Sequence, residues 1–70
     1  MTYGKVRKIL ENNGFTLKRH KSGSHRRYTG EVSGQTQHVT LAYARESEDV
    51  KPGTLAARIR QSGLDKKLFR

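Results

Sequence analysis

The spacing of the apolar residues changes at Asn13-Gly14, and this change limits the folds open to the chain. Before it, apolar residues recur at intervals of three and four over residues 3–12, which is typical of an amphipathic helix. After it, Phe15 and Leu17 alternate with polar residues, which indicates a half-buried strand that runs to about His20. A helix is therefore followed at once by a strand, so the chain combines both kinds of element.

Turn and cap residues place the next elements along the chain. Thr2 is suited to cap the first helix, and Asn13-Gly14 to end it with a left-handed turn. A turn at residues 21–23 leads to a second strand at about residues 24–29. A second turn region over residues 30–34, which strand pairing at Val32 would shorten, leads to a third strand at residues 35–42. Short connections of this kind predict an antiparallel meander of three strands.

A second helix is expected after the meander. Pro52 and Thr54 favour its start, Ser62-Gly63 its end, and Asp65 is suited to cap a short last turn. The order of elements predicts an α+β fold of the type α-β-β-β-α, in which a three-stranded antiparallel sheet carries two helices on one face. We expect the buried stripe of the second helix to consist of Leu55, Ala56 and Ile59.

The chain has few residues with which to build a core. We expect its 70 residues to form one domain, 1–70, and only 31% of them are apolar. A chain of this size buries roughly 60% of its unfolded surface, so the core is thin. No cysteine is present, which excludes disulfides and thiolate metal sites. The expected core residues are Val6, Ile9, Leu10, Phe15, Leu17, Val32, Val39, Leu41, Leu55, Ile59, Leu64, Leu68 and Phe69.

The charge of the chain points to a polyanionic partner. Its 15 Lys and Arg exceed its 6 Asp and Glu, which leaves a formal charge of +9 and favours nucleic acid as the partner. A membrane surface is the weaker interpretation, because no segment approaches the roughly 18 apolar residues of a spanning helix. The N-terminus lacks the apolar core of a signal peptide, so we expect a cytoplasmic location.

Residues 18–27 read KRHKSGSHRR and combine five Lys or Arg with two His, without an acid. Fixed positive charge gathers phosphates, and a histidine can move protons near neutral pH. RNA can be cut without a metal, because its own 2′-OH can attack the adjacent phosphorus when a protein supplies a base, an acid and cations. The segment therefore predicts RNA cleavage and not only RNA binding.

His25 is the candidate general acid or base within this segment, although a solvent-exposed strand residue is the alternative on the residues alone. Gly23 would allow the backbone to approach RNA closely, and Ser24 could donate to a phosphate oxygen. Alternation along the second strand allows at most one of Arg26 and Arg27 to share the side of His25. The expected substrate-binding residues are Lys18, Lys21, Gly23, Ser24, Arg26, Arg27 and Tyr28.

Other histidines and tyrosines carry open alternatives. His20 is either a second proton carrier across the turn from His25 or a side chain without a catalytic role, and the second is favoured. His38 is expected on the polar face of the third strand, with a catalytic role disfavoured. Tyr28 and Tyr43 either stack on bases or lie at the edge of the core.

No metal site or cofactor is predicted. The histidines lack a matching cluster of carboxylates or cysteines. The acids Glu46, Glu48 and Asp49 lie together in one segment, and a solvated loop is the common meaning of such a segment.

Several motifs follow one another along nearly the whole chain. They are LENNGF at residues 10–15, GSH at residues 23–25, the strand with Val39 and Leu41, KPGTL at residues 51–55 and IRQSGL at residues 59–64. Together these motifs resemble the HicA (YcfA-like) family of bacterial toxins. The resemblance implies a fold like that of double-stranded-RNA-binding domains, ribosome-independent cleavage of mRNA, and neutralisation by a HicB-type antitoxin of a type II toxin–antitoxin system. It also implies that the essential histidine is the one in Gly-Ser-His, which is His25.

Three functions remain to be weighed. The first is a toxin endoribonuclease that cuts single-stranded mRNA through His25 and is held inactive by an acidic partner. The second is a small RNA-binding module without chemistry, in which His25 only contacts phosphate. A DNA-binding regulator is disfavoured, because neither helix has a helix-turn-helix partner at the needed spacing.

Overall fold

The computed structural model describes residues 1–20 and 24–70, and it has the predicted α-β-β-β-α order. A short 3-10 turn, Lys66–Phe69, follows the second helix. The main elements are α1 (Tyr3–Asn12), β1 (Thr16–His20), β2 (His25–Val32), β3 (Gln35–Ala42) and α2 (Pro52–Ser62).

The three strands form one antiparallel sheet in the order β1-β2-β3. Pairing between β2 and β3 continues to Val32 opposite Gln35, so only Ser33 and Gly34 form the turn. Their φ angles of 53° and 81° are those of the two-residue hairpins whose twist matches that of the strands. The strand thus extends beyond its predicted end at about Thr29, and strand pairing at Val32, the alternative for residues 30–34, shortens the turn.

Local signals set the ends of α1. The Thr2 hydroxyl oxygen accepts a hydrogen bond from the Lys5 amide at 3.2 Å, which confirms the predicted N-cap. At the other end, the Asn13 side-chain amide donates to the Ile9 carbonyl at 2.8 Å, just before the turn at Gly14. The bounds of this helix follow from its own sequence.

The orientation of α2 differs in one respect from the expected stripe. Leu55 and Ile59 are partly buried and Ser62 is fully buried, whereas Ala56 is exposed. Residues spaced by four and then three lie on one side of a helix, and Ala56 lies beside that line. Ser62 completes the stripe because its hydroxyl donates to the Ile59 carbonyl at 2.6 Å.

The start and continuation of α2 follow the prediction in part. Pro52 begins the helix, but Lys51 is the N-cap and Thr54 lies inside the first turn without a capping role. Asp65 does cap the last turn, since its carboxylate accepts a hydrogen bond from the Lys67 amide at 2.9 Å.

The core lies between the helices and one face of β2 and β3. Leu17 and Leu68 were expected in it but are 45% and 44% exposed. Leu17 lies on β1, which is one of the two edge strands of the sheet. All residues of β1 are exposed. Val50 was not expected in the core but is buried, and Tyr28 and Tyr43, for which the edge of the core was one of two alternatives, are buried as well. The buried apolar residues are Val6, Leu10, Phe15, Tyr28, Val39, Leu41, Tyr43, Val50 and Phe69.

Candidate functional site

The face of the sheet opposite the core is polar and exposed, and we call it the open face. Tyr28 and Gly30 of β2 are buried on the core side, so the alternating residues point the other way. The strand register carries this alternation across the sheet. The open face is formed by Thr16, Arg19, His25, Arg27, Thr29, Glu31, Thr36, His38, Thr40 and Ala42.

His25 is the first residue of β2 and lies on the open face, opposite Ala42 of β3. Its side chain is exposed and lines a shallow cavity of about 220 Å³. The other residues that line this cavity are Arg19, Arg26, Arg27 and Thr40. The histidine is thus reachable from solvent and is surrounded by cations.

Arg27 lies two residues from His25 on the same face, and its partner in β1 is Arg19. Arg27 was predicted in the site, whereas Arg19 and Thr40 were not. Arg19 was missed because β1 has a register irregularity between Leu17 and Arg19, which no local pattern announces. Thr40 was missed because its position beside Arg27 depends on the register of β3 against β2. Lys18 lies at this irregularity and is exposed, with no partner in the register of β2.

Arg26 points to the core side of the sheet. Of the two neighbouring arginines, only Arg27 therefore shares the side of His25. The Nη1 atom of Arg26 donates to the carbonyl oxygens of Ser24 and Tyr43, each at 2.9 Å. Its guanidinium lies 4.1 Å from the centroid of the Tyr43 ring, which in turn stacks on Tyr3 with centroids 5.0 Å apart. These contacts give Arg26 a structural role that its sequence position does not reveal.

Tyr28 and Tyr43 are 2% and 3% exposed, so both rings belong to the core. The expectation that Tyr28 binds substrate by stacking is corrected, because alternation turns its ring away from the open face. Burial raises the pKa of Tyr28 to about 12.

The other histidines do not join His25. His20 pairs with Arg26 and therefore lies on the opposite face from His25. His38 does lie on the open face, where its Nδ1 is 3.0 Å from the Thr29 hydroxyl. That pair sits four residues along β2 from His25, a distance of roughly 13 Å at the rise of a strand.

Parts of the predicted segment have other positions. Lys21 and Gly23 lie outside the described residues. Ser24 is partly buried, and its carbonyl oxygen accepts hydrogen bonds from Arg26 and from the Tyr43 amide, the latter at 3.2 Å. This pair of bonds fixes the backbone immediately before His25.

The acidic residues Glu46 and Glu48 accept hydrogen bonds from other residues of the protein. The Glu46 carboxylate accepts from the Arg7 Nε at 2.6 Å, and this contact raises the pKa of Arg7 and lowers that of Glu46. One oxygen of Glu48 accepts from the amides of Ala44 and Arg45, both at 2.8 Å. Within residues 1–20 and 24–70, no three His, Cys, Asp or Glu side chains lie close enough to hold a metal ion.

A comparison with protein families decides what kind of chain carries this site. A family model described as the HicA toxin of bacterial toxin–antitoxin systems matches residues 3–64. The chain belongs to the HicA toxin family. As a HicA-type toxin it has an antitoxin as partner. No curated protein and no solved structure matches the chain. In the part of the chain that the structure describes, no helix is long and apolar enough to cross a membrane.

Proposed function

We propose that this HicA-type toxin is a metal-independent endoribonuclease that cuts mRNA with His25 as general acid or base. The observation that carries the proposal is the exposed imidazole of His25 in a cavity lined by Arg19 and Arg27. The HicA toxin family is known for RNase activity in general, which supports the same chemistry.

The open face carries two kinds of group that this reaction uses, an imidazole for proton transfer and guanidinium groups for the phosphate. The 2′-oxygen of the RNA attacks the adjacent phosphorus, the bond from phosphorus to the 5′-oxygen breaks, and a 2′,3′-cyclic phosphate and a 5′-hydroxyl form. A base takes the proton of the 2′-OH and an acid protonates the leaving 5′-oxygen. In this proposal His25 carries out one of these transfers, a contribution of roughly 10²–10⁴-fold in rate. Nearby guanidinium groups stabilise the charge that builds on the phosphate.

The positive charge of the open face also suggests how an antitoxin would inhibit the toxin. The chain carries a formal charge of +9, and Arg19, Arg27 and His25 lie on an exposed face. We propose a HicB-type antitoxin that presents acidic groups to this face, because complementary charge directs association and excludes other partners. Covering the cavity would deny RNA access to His25.

The chemistry is tested by incubating the purified chain with a long unstructured RNA in EDTA and identifying the ends of the products. We expect cleavage that leaves 2′,3′-cyclic phosphate and 5′-hydroxyl ends. An oligonucleotide with a single 2′-deoxy position at a cleaved linkage should resist cutting there. If the chain binds RNA but leaves it intact, it is the non-catalytic RNA-binding module instead.

A further inference from the structure

Arg19 and Arg27 are direct cross-strand partners on an exposed face of the sheet. Like charges directly opposite each other destabilise a pair of strands. Among the described residues, the ion pairs involve only the N-terminus and Arg7, so neither guanidinium has a carboxylate partner. A bound anion would therefore offset the repulsion between these two guanidinium groups.

The pair extends into a row across the whole sheet. Thr40 of β3 is the partner of Arg27, so Arg19, Arg27 and Thr40 stand side by side on three adjacent strands. Neighbouring strands are about 4.8 Å apart, which brings the two guanidinium groups and the hydroxyl within reach of one small anion. All three residues line the cavity that contains His25.

We propose that this row is a phosphate-binding site that holds the backbone phosphodiester at the point of cleavage, an assignment that rests on the proposed function. Guanidinium groups bind phosphate oxygens in pairs of parallel hydrogen bonds, and a threonine hydroxyl can donate a further one. His25 lies two residues from Arg27 along β2, roughly 7 Å at the rise of a strand. A phosphate on the row therefore has the imidazole beside it.

The aromatic residues support recognition through the backbone of the RNA. Proteins usually hold single-stranded RNA by stacking bases on aromatic rings. The chain has five aromatic residues; four are buried, and Tyr3 is partly buried and stacks on Tyr43. None of these five rings is therefore exposed as a platform for bases, which favours contacts to the phosphates of the RNA.

The salt dependence of RNA binding tests the site without any cleavage. The probe is a 2′-O-methyl RNA oligonucleotide, which binds but cannot react because its 2′-oxygen is blocked. The slope of log affinity against log salt is negative, and Arg19→Gln should reduce its magnitude by about 0.7, the value for one lost phosphate contact on a single strand. Arg60→Gln removes the same charge from the exposed surface of α2 and should leave the slope unchanged. Equal slopes for the two variants would overturn the proposal.

Thermal stability in inorganic phosphate gives a second, independent measurement. At constant ionic strength set with NaCl, phosphate should raise the melting temperature of the wild type and of Arg60→Gln more than that of Arg19→Gln. Without phosphate, Arg19→Gln should melt no lower than the wild type, because a repulsion has been removed. Equal stabilisation of all three proteins would mean general screening of the charge and would contradict the site. Phosphate-specific stabilisation in a chain that cuts no RNA would retain the site and remove the proposed activity.

Discussion

On the helix side of the sheet Arg7 and Arg26 have fixed partners within the protein, whereas on the open face Arg19 and Arg27 have no carboxylate partner among the described residues. Arg7 pairs with Glu46 and Glu11, and Arg26 with two carbonyl groups and an aromatic ring. Contacts within the protein thus distinguish arginines with a structural role from arginines that are available to a ligand. Composition cannot make this distinction, since it counts every arginine alike.

The largest expected effect concerns packing on the covered face. A Cβ added at Gly30 would lie 2.8 Å from the Phe15 ring, so Gly30→Ala should lower the free energy of unfolding by about 1–3 kcal/mol, as overpacking does. Thr36 is an exposed residue of β3 on the open face, and Thr36→Ala should change stability by no more than about 0.5 kcal/mol. Urea denaturation of both variants measures the difference. Similar losses for the two would contradict the assignment of the faces.

A smaller effect separates two neighbouring arginines. Arg26→Ala removes two hydrogen bonds and a contact with the Tyr43 ring, so it should cost about 1–2 kcal/mol of stability. Arg27→Ala should leave stability unchanged or slightly higher but weaken binding of 2′-O-methyl RNA several-fold. Thermal melting and fluorescence anisotropy report the two quantities. If Arg27→Ala destabilises the fold as much as Arg26→Ala, the contrast between the faces is wrong.

The smallest effect lies at alkaline pH and concerns Tyr28. Its pKa is about 12 in the folded chain against an ordinary value of 10.0, so between these values the folded state binds more protons than the unfolded state. The free energy of unfolding should therefore fall as the pH rises from about 10 to about 12. Tyr28→Phe cannot ionise and should show a shallower decline in urea denaturation over that range. An equally steep decline in the variant would show that Tyr28 is not the source.

Local sequence signals predicted the elements of this fold well. The cap at Thr2, the turn at Gly14 and the cap at Asp65 each depend on atoms a few residues apart, and each was placed correctly. The third strand matched its predicted bounds for the same reason. For the end of β2 the sequence left open whether pairing reaches Val32, because this depends on how far the ladder with β3 continues.

The candidate site depends more on contacts between distant residues, and less of it could be predicted. Alternation indicated that only one of Arg26 and Arg27 shares the side of His25, but the core side could not be identified without knowing that Tyr28 is buried. Arg19 joined the site only through the register of β1, which contains an irregularity. The acidic segment was predicted to be a solvated loop and its acids are indeed exposed, but the contact of Glu46 with Arg7, 39 positions away in the chain, could not be predicted from local sequence.

The central claim is that His25 performs chemistry on the open face while His38, on the same face, does not. The direct test compares single-turnover cleavage of RNA by the wild type, His25→Ala and His38→Ala, with affinity measured in parallel on 2′-O-methyl RNA. Both side chains are exposed, so neither substitution should unfold the chain. The account predicts that His25→Ala loses roughly 10²–10⁴-fold in rate with little change in affinity, and that His38→Ala cleaves like the wild type. Cleavage by His25→Ala at the wild-type rate would contradict it.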